Sequence, residues 1–448
     1  MKAPQTSKSA PLFSVSRREL WWVIAFCVFA ALRVLIFSAA FPFFNNVDER
    51  RHFDLVMKYA YGRVPRGAEL ISPATFPTLR AMRHRNFWLR PRILRADIMD
   101  RYGCIRRKKS RRQLLLAYLA ARIVFPEQIA MRLGIPLLVA SIPQDAFYGI
   151  DNNVLSPICF GITFICIIRW LSEDTPSISL GIATGLSMAL TYLTKLSNLP
   201  LILVAILAIT YWCVAQIRSR ILRNAILALS ALVCCSAIPI AAWALWVKSH
   251  FGDFTGAASK TQLLGWTAKP FSEWWSHPIF TFSGLWTFLS ELIASSWRGE
   301  FMWHARTIGS KGMDVFYVLS SLGLFPIAVA ALFRNRAKNL AEAQRRALWI
   351  AAACFVATIV FLGFLSLQFD FGTCINPSRE RPYFFQGRLM AGAMIPFATL
   401  YVYGLNRMLR AVRVLVLAAV GVIAITITVS EFLANRAAFT SAYNWFHM

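Results

Sequence analysis

The sequence predicts an all-α fold that crosses a membrane about 11 times, and three observations carry that expectation. Hydrophobic residues fill 57% of the 448 positions, and the mean hydropathy is +0.52. They gather in long runs, the first from Leu20 to Phe44, and about 20 apolar residues at 1.5 Å each cross a hydrocarbon core of about 30 Å. The alternating segments of about ten residues that mark a membrane barrel are missing, so helices are the spanning element.

In chain order the apolar runs fall at 20–44, 113–126, 128–146, 154–171, 178–195, 197–217, 224–249, 313–334, 346–368, 388–407 and 413–434. Short basic connectors set the orientation, because Lys and Arg are held on the cytoplasmic side. Arg218, Arg220 and Arg223, then Arg334 to Arg346, then Arg407 to Arg413 belong there, as does the N-terminus over 1–19. A single membrane domain over 20–434 follows, with far-side loops at 45–112, 250–312 and 369–387 and a far-side tail at 435–448. An integral, multi-pass protein of a bacterial inner membrane is the expected setting.

A net charge of +27 would point to nucleic acid in a soluble chain, but here the basic residues mark loops and topology, so no nucleic-acid partner is expected. Most of the nine cysteines lie in apolar runs, where a thiol acts as a small hydrophobe, and no Cys/His metal spacing occurs. Walker-type loops, His-Glu-x-x-His and Gly-x-Ser-x-Gly are also missing, which leaves nucleotide-driven transport, zinc peptidase and serine hydrolase chemistry without support. One segment resists the charge rule. Eighteen of the 48 basic residues lie between Arg50 and Arg112, on the far side by parity. Either this loop is long enough to escape the rule, or the coding sequence over 63–112 is altered and replaces ordinary membrane-lining sequence.

The residues with chemistry in them fall in the far-side loops. Asp48 and Glu49 follow the first span directly, where acids are unexpected without a role. Together with the run Gly181-Ile-Ala-Thr-Gly-Leu-Ser-Met-Ala-Leu-Thr-Tyr-Leu-Thr-Lys-Leu-Ser and the late Gln386-Gly-Arg-Leu-Met-Ala-Gly-Ala-Met-Ile-Pro, the chain resembles the GT-C superfamily of polytopic glycosyltransferases. Within it, the bacterial relatives of protein O-mannosyltransferases and of the lipid A aminoarabinose transferase are the most similar. The resemblance spans most of 18–62 and 113–434. It implies an active site lined by the acid pair, a polyprenyl phosphate-linked sugar as donor, and an acceptor hydroxyl on a glycan, lipid or protein. Members differ in their use of a divalent cation, so the metal is left open.

Sugar transfer from a lipid phosphate needs a base at the acceptor and cationic or hydrogen-bonding groups on the departing phosphate. Asp48 is the expected base and Glu49 its neighbour, against the plainer reading that both cap an interfacial helix. Arg388 opens a late span and its planar fork suits phosphate; the plainer reading is an interfacial anchor. Glu300, Trp303 and His304 suit a sugar subsite, although aromatic belts are common at any membrane interface. Asp145 and Asn153 lie before the fourth span; Asn153 stands where the resemblance would place an acid, and it can hydrogen-bond but not act as a base. The interfacial helix with a Pro-Pro-Leu-Tyr-Tyr-like run that the family carries is missing from 63–112, which makes an inactive homologue one alternative. A transporter or flippase of an amphipathic substrate is the other. The gathering of charge in loops, with no internal repeat, favours the enzyme.

Overall fold

The computed structural model describes residues 16–41, 49–60, 62–63, 110–142, 148, 152–216, 220–303, 306–333, 340–374, 376–409, 412–441 and 444. The bundle is helical: α1 (Arg17–Ala40), α2 (Glu49–Ala60), α3 (110–124), α4 (Ile129–Ser141), α5 (Ser156–Ser172), α6 (Ile178–Thr194), α7 (Leu199–Gln216), α8 (Arg220–Phe251), α9 (Phe282–Arg298), α10 (Lys311–Phe333), α11 (Glu342–Gln368), α12 (Met394–Met408) and α13 (Arg413–Ala434). The only strands among the described residues are two-residue pairings. In these, β1 (Thr267–Ala268) pairs antiparallel with β4 (Phe369–Asp370), and β2 (Met302–Trp303) with β3 (Arg306–Thr307).

Among the described residues eight helices are long and apolar enough to cross a membrane, which makes this an integral, multi-pass chain. They run over Arg17–Ala40, Asn153–Ser172, Leu196–Gln216, Ala225–Phe251, Lys311–Phe333, Glu342–Gln368, Gly387–Met408 and Leu415–Ala434. The remaining three of the expected 11 runs form α3, α4 and α6, which are shorter. At 13 residues α4 reaches only about 20 Å. It lies inside the bundle, with Met131, Ile135 and Leu138 fully buried, so neighbouring helices cover most of its length, although Ile129 at its start is exposed.

Helix directions follow from contacts at both ends. Glu19 of α1 meets Arg132 of α4 at 3.0 Å, and Arg33, two-thirds along α1, reaches the α4 carbonyl of Ala140 at 3.1 Å, so the two helices run parallel. Gln113 of α3 donates to Met394 Sδ at the start of α12, and Phe125 stacks on Tyr403 near its end, so α3 and α12 are parallel as well. Ser110 therefore lies at the same end of the bundle as the start of α12, the end that carries the 250–312 and 369–387 loops.

The Gly181/Gly185 run has a packing role. A Cβ at either glycine would overlap a backbone carbonyl of α8, that of Ala228 or of Leu232. Small residues four apart let two helix backbones approach closely in a membrane, where hydrophobic burial cannot drive the pairing.

Two expectations are corrected. The segment read as loop 250–312 contains the 17-residue α9, whose Phe288, Leu292 and Ser295 bury one face at helical spacing. Thr281 caps its start by accepting from the Gly284 amide at 3.0 Å, and Gly299 at φ 77° ends it. The run expected as one helix over 388–407 begins instead as a 3-10 helix, Gly387–Ala393, before α12. Its small residues allow the tighter winding, and a Cβ at Gly387 would overlap the backbone of Ser295 and Ser296. Trp297, six residues before Trp303 in the 250–312 segment, belongs to the core. It is fully buried, stacks on Tyr317 at 5.2 Å and donates to Ser321 Oγ at 2.9 Å, so it has no face to offer a sugar.

Candidate functional site

The loop end is organised by a strap, residues 377–386, laid over α9 and the end of α11. Phe384 N–H donates to Ser366 Oγ at 2.8 Å, Ser295 Oγ donates to the Phe385 carbonyl at 2.6 Å, and His277 Nε2 meets the Pro382 carbonyl at 3.0 Å. These fix where the chain enters Gly387–Ala393, and hence where Arg388 points.

Arg388 meets Glu300. Its Nε lies 3.4 Å from Glu300 Oε2 and its backbone N–H donates to Oε1 at 3.3 Å, with side chains 19% and 15% exposed. The next residue, Phe301, stacks on Phe41 at 5.3 Å and on Tyr148 at 5.7 Å. Phe41 ends α1, so the end of α1 lies beside the segment that carries Glu300.

The same 3-10 helix packs on Asn152–Leu155 and on the turn Leu196–Asn198. Lys195 Nζ donates to Asn153 Oδ1, and Asn198 donates to Ser156 Oγ at 3.2 Å and to the Thr191 carbonyl at 3.0 Å. Asn153 is 2% exposed, held inward by these contacts rather than standing as a solvated helix cap. Two buried acceptors nearby, Gln386 Oε1 and Asn198 Oδ1, have no hydrogen-bond partner among the described residues. Such atoms are costly to leave without a donor, which makes this the least satisfied polar part of the site.

Of the expected site residues, Glu300, Arg388 and Asn153 are thus gathered around one short helix. Glu49 opens α2 and is buried, on a helix that also buries Phe53 and the Asp54–Lys58 pair at 3.0 Å. Asp48, Asp145 and His304 lie outside the described residues; Trp303 contributes its backbone to β2, and its side chain is not among those described. Among the described residues no group of three or more His, Cys, Asp or Glu side chains is placed to hold a metal ion.

The sequence reading missed a buried charge cluster. Arg33 Nε donates to Glu431 Oε2 at 2.7 Å, Tyr148 OH donates to Glu431 Oε1 at 3.0 Å, and Arg33 also caps the last carbonyls of α4. This ties α1, α4 and α13 at the loop end, with the guanidinium on the negative end of the α4 dipole. The signal was present, since Arg33 and Glu431 are charges inside apolar runs, and such residues are expensive in a membrane unless paired.

Electrostatics in the soluble loops follow local contacts. Arg379 at 2.9 Å holds the Asp370 carboxyl below the usual carboxylate range, helped by the Gly372 amide. Burial pushes the His277 imidazole below its ordinary value, more than its bond to Pro382 raises it.

No protein family and no curated protein matches the chain.

Proposed function

We propose that the chain is an integral membrane glycosyltransferase that moves a sugar from a polyprenyl phosphate-linked donor to an acceptor hydroxyl at the loop end of the bundle. The observation that supports this best is the convergence of Glu300, Arg388, Lys195 and Asn153 around Gly387–Ala393, with the end of α1 at Phe41 stacked on Phe301.

In this reading Asp48 takes the proton of the acceptor hydroxyl as the new glycosidic bond forms at the sugar carbon. The bond from that carbon to phosphate breaks, and its electron pair leaves with the lipid phosphate. Arg388 and Lys195 offset the charge that develops on the phosphate, where preorganised donors act most strongly. Glu300 holds the Arg388 guanidinium in place, and Glu49 orients the base. In this reading the loop end is the extracytoplasmic one, since α7, α10 and α12 end at the other and are followed there by the short basic connectors; the 18 basic residues over 50–112 are the exception to the charge rule.

The test is transfer of labelled sugar from a polyprenyl phosphate donor in membranes carrying the full chain. Label appearing on an acceptor supports the reading. Movement of intact donor across the membrane without transfer supports a flippase instead, and neither event rejects both.

A further inference from the structure

The side of the bundle carries a groove that the transferase reading does not use. It lies between α9 and α10 at the loop end, with a volume of about 370 Å³. Its apolar part is formed by Trp286, Val315 and Leu319, which are 46%, 57% and 59% exposed. Val315 and Leu319 are one helical turn apart, so they form a continuous outward strip along α10. Its mouth carries charges of both signs, from Glu291, Lys311 and Asp314.

Those charges balance. Arg298 spans the two acids, with Nε 3.0 Å from Asp314 Oδ1 and Nη2 3.9 Å from Glu291 Oε2. Lys311 is exposed and has no ion-pair partner among the described residues. The two carboxylates, 39% and 28% exposed, retain lone pairs that one guanidinium does not fill. With two acids and two bases the mouth is neutral overall yet divided, and a group that complements it must carry both signs.

We infer that this groove binds a phospholipid with a primary-amine headgroup. Its phosphate meets Lys311 at the positive end of the α10 dipole. Its ammonium donates to Glu291 and Asp314, and an acyl chain lies along Val315 and Leu319. An anionic glycerol headgroup would bring negative charge to two carboxylates without offering a cation. A choline headgroup is cationic but has no N–H to donate, so it forgoes the charge-assisted hydrogen bonds. The apolar strip beside the mouth favours a membrane lipid over a free phosphoamine. The inference does not depend on the transferase reading.

The test uses the full chain in vesicles with equal parts phosphatidylethanolamine, phosphatidylcholine and phosphatidylglycerol, followed by mild extraction and quantification of co-purified lipid. Phosphatidylethanolamine is expected to be enriched over both others. In Glu291→Gln and in Lys311→Gln the enrichment should fall by about threefold to fivefold, the scale of one partly exposed charge contact. Both positions are solvent-facing, and thermal melting confirms that the variants fold. Val315→Trp fills the groove without touching a charge and should also remove the enrichment. Preference for phosphatidylglycerol or phosphatidylcholine, no enrichment in the parent chain, or enrichment unchanged in all three variants overturns the assignment.

Discussion

Glu300 and Arg388, 88 residues apart, share one carboxylate. One oxygen accepts the Arg388 backbone amide at 3.3 Å and the other faces its Nε at 3.4 Å. A single acid therefore fixes both the start of the 3-10 helix and the aim of the guanidinium, and it joins the 250–312 loop to the last strap of the chain. That coupling gives Arg388 a defined position at the loop end, as a phosphate contact requires.

Arg388→Lys keeps the charge but replaces a planar fork with a point charge. It is expected to lower kcat/KM for the lipid-linked donor about tenfold to a hundredfold, the value of one charged hydrogen bond, with the acceptor KM little changed. Steady-state kinetics with each substrate varied in turn would read this. Equal losses toward both substrates would remove Arg388 from the phosphate.

Asp48→Asn keeps the shape of the side chain and removes its basicity. Transfer should fall about 10²–10⁴-fold, the usual contribution of a general base, while membrane insertion and extraction stay as in the parent chain. Turnover at the parental rate would exclude Asp48 as the base and leave Glu49 or Glu300 to be tried.

Arg33 and Glu431 are each below 5% exposed as side chains and paired with one another. Arg33→Met removes the guanidinium from the buried Glu431 carboxylate, and loss of one member of a buried ion pair costs about 3–5 kcal/mol. The double variant Arg33→Met, Glu431→Met removes both charges and should recover much of that loss. Thermal unfolding in detergent of the parent, both single variants and the double closes the cycle. A double variant less stable than either single one would show that the pair has a role beyond mutual compensation.

Much of the fold was legible because a bilayer demands so much of a sequence. Long apolar runs and basic connectors located every crossing segment from α5 onward to within a few residues, and even the short α3 and α4 showed as interrupted apolar stretches. The amphipathic α9 was missed for a physical reason. Its polar face breaks the hydropathy signal that reveals a span, and its aromatic residues resemble an interfacial belt. The candidate site was legible in parts. Glu300, Arg388 and Asn153 stood out as polar residues at span ends, but their convergence depends on Gly387 crossing the end of α9 and on Lys195 reaching Asn153, contacts with no local sequence pattern. Arg33 and Glu431 were readable by the cost of burying charge, since each interrupts an apolar run.

His277 makes the strap sensitive to acid. Its Nδ1 accepts the Ile279 amide at 3.0 Å while Nε2 faces the Pro382 carbonyl at 3.0 Å, so the neutral ring with its proton on Nε2 satisfies both. A second proton would have to go on Nδ1, directly against the Ile279 N–H. Burial and nearby Lys269 also disfavour the charged ring, which lowers its pKa below the ordinary 6.5. A group whose folded pKa is depressed stabilises the fold above its unfolded pKa, and that contribution fades as pH falls below about 6.5. Hydrogen exchange at 380–387, corrected for intrinsic rates, should therefore accelerate between pH 7.5 and 5. His277→Gln retains a donor for Pro382 and does not titrate, so it should flatten the dependence. Exchange that stays constant with pH in the parent chain, or that varies equally in the variant, would place the acid sensitivity elsewhere.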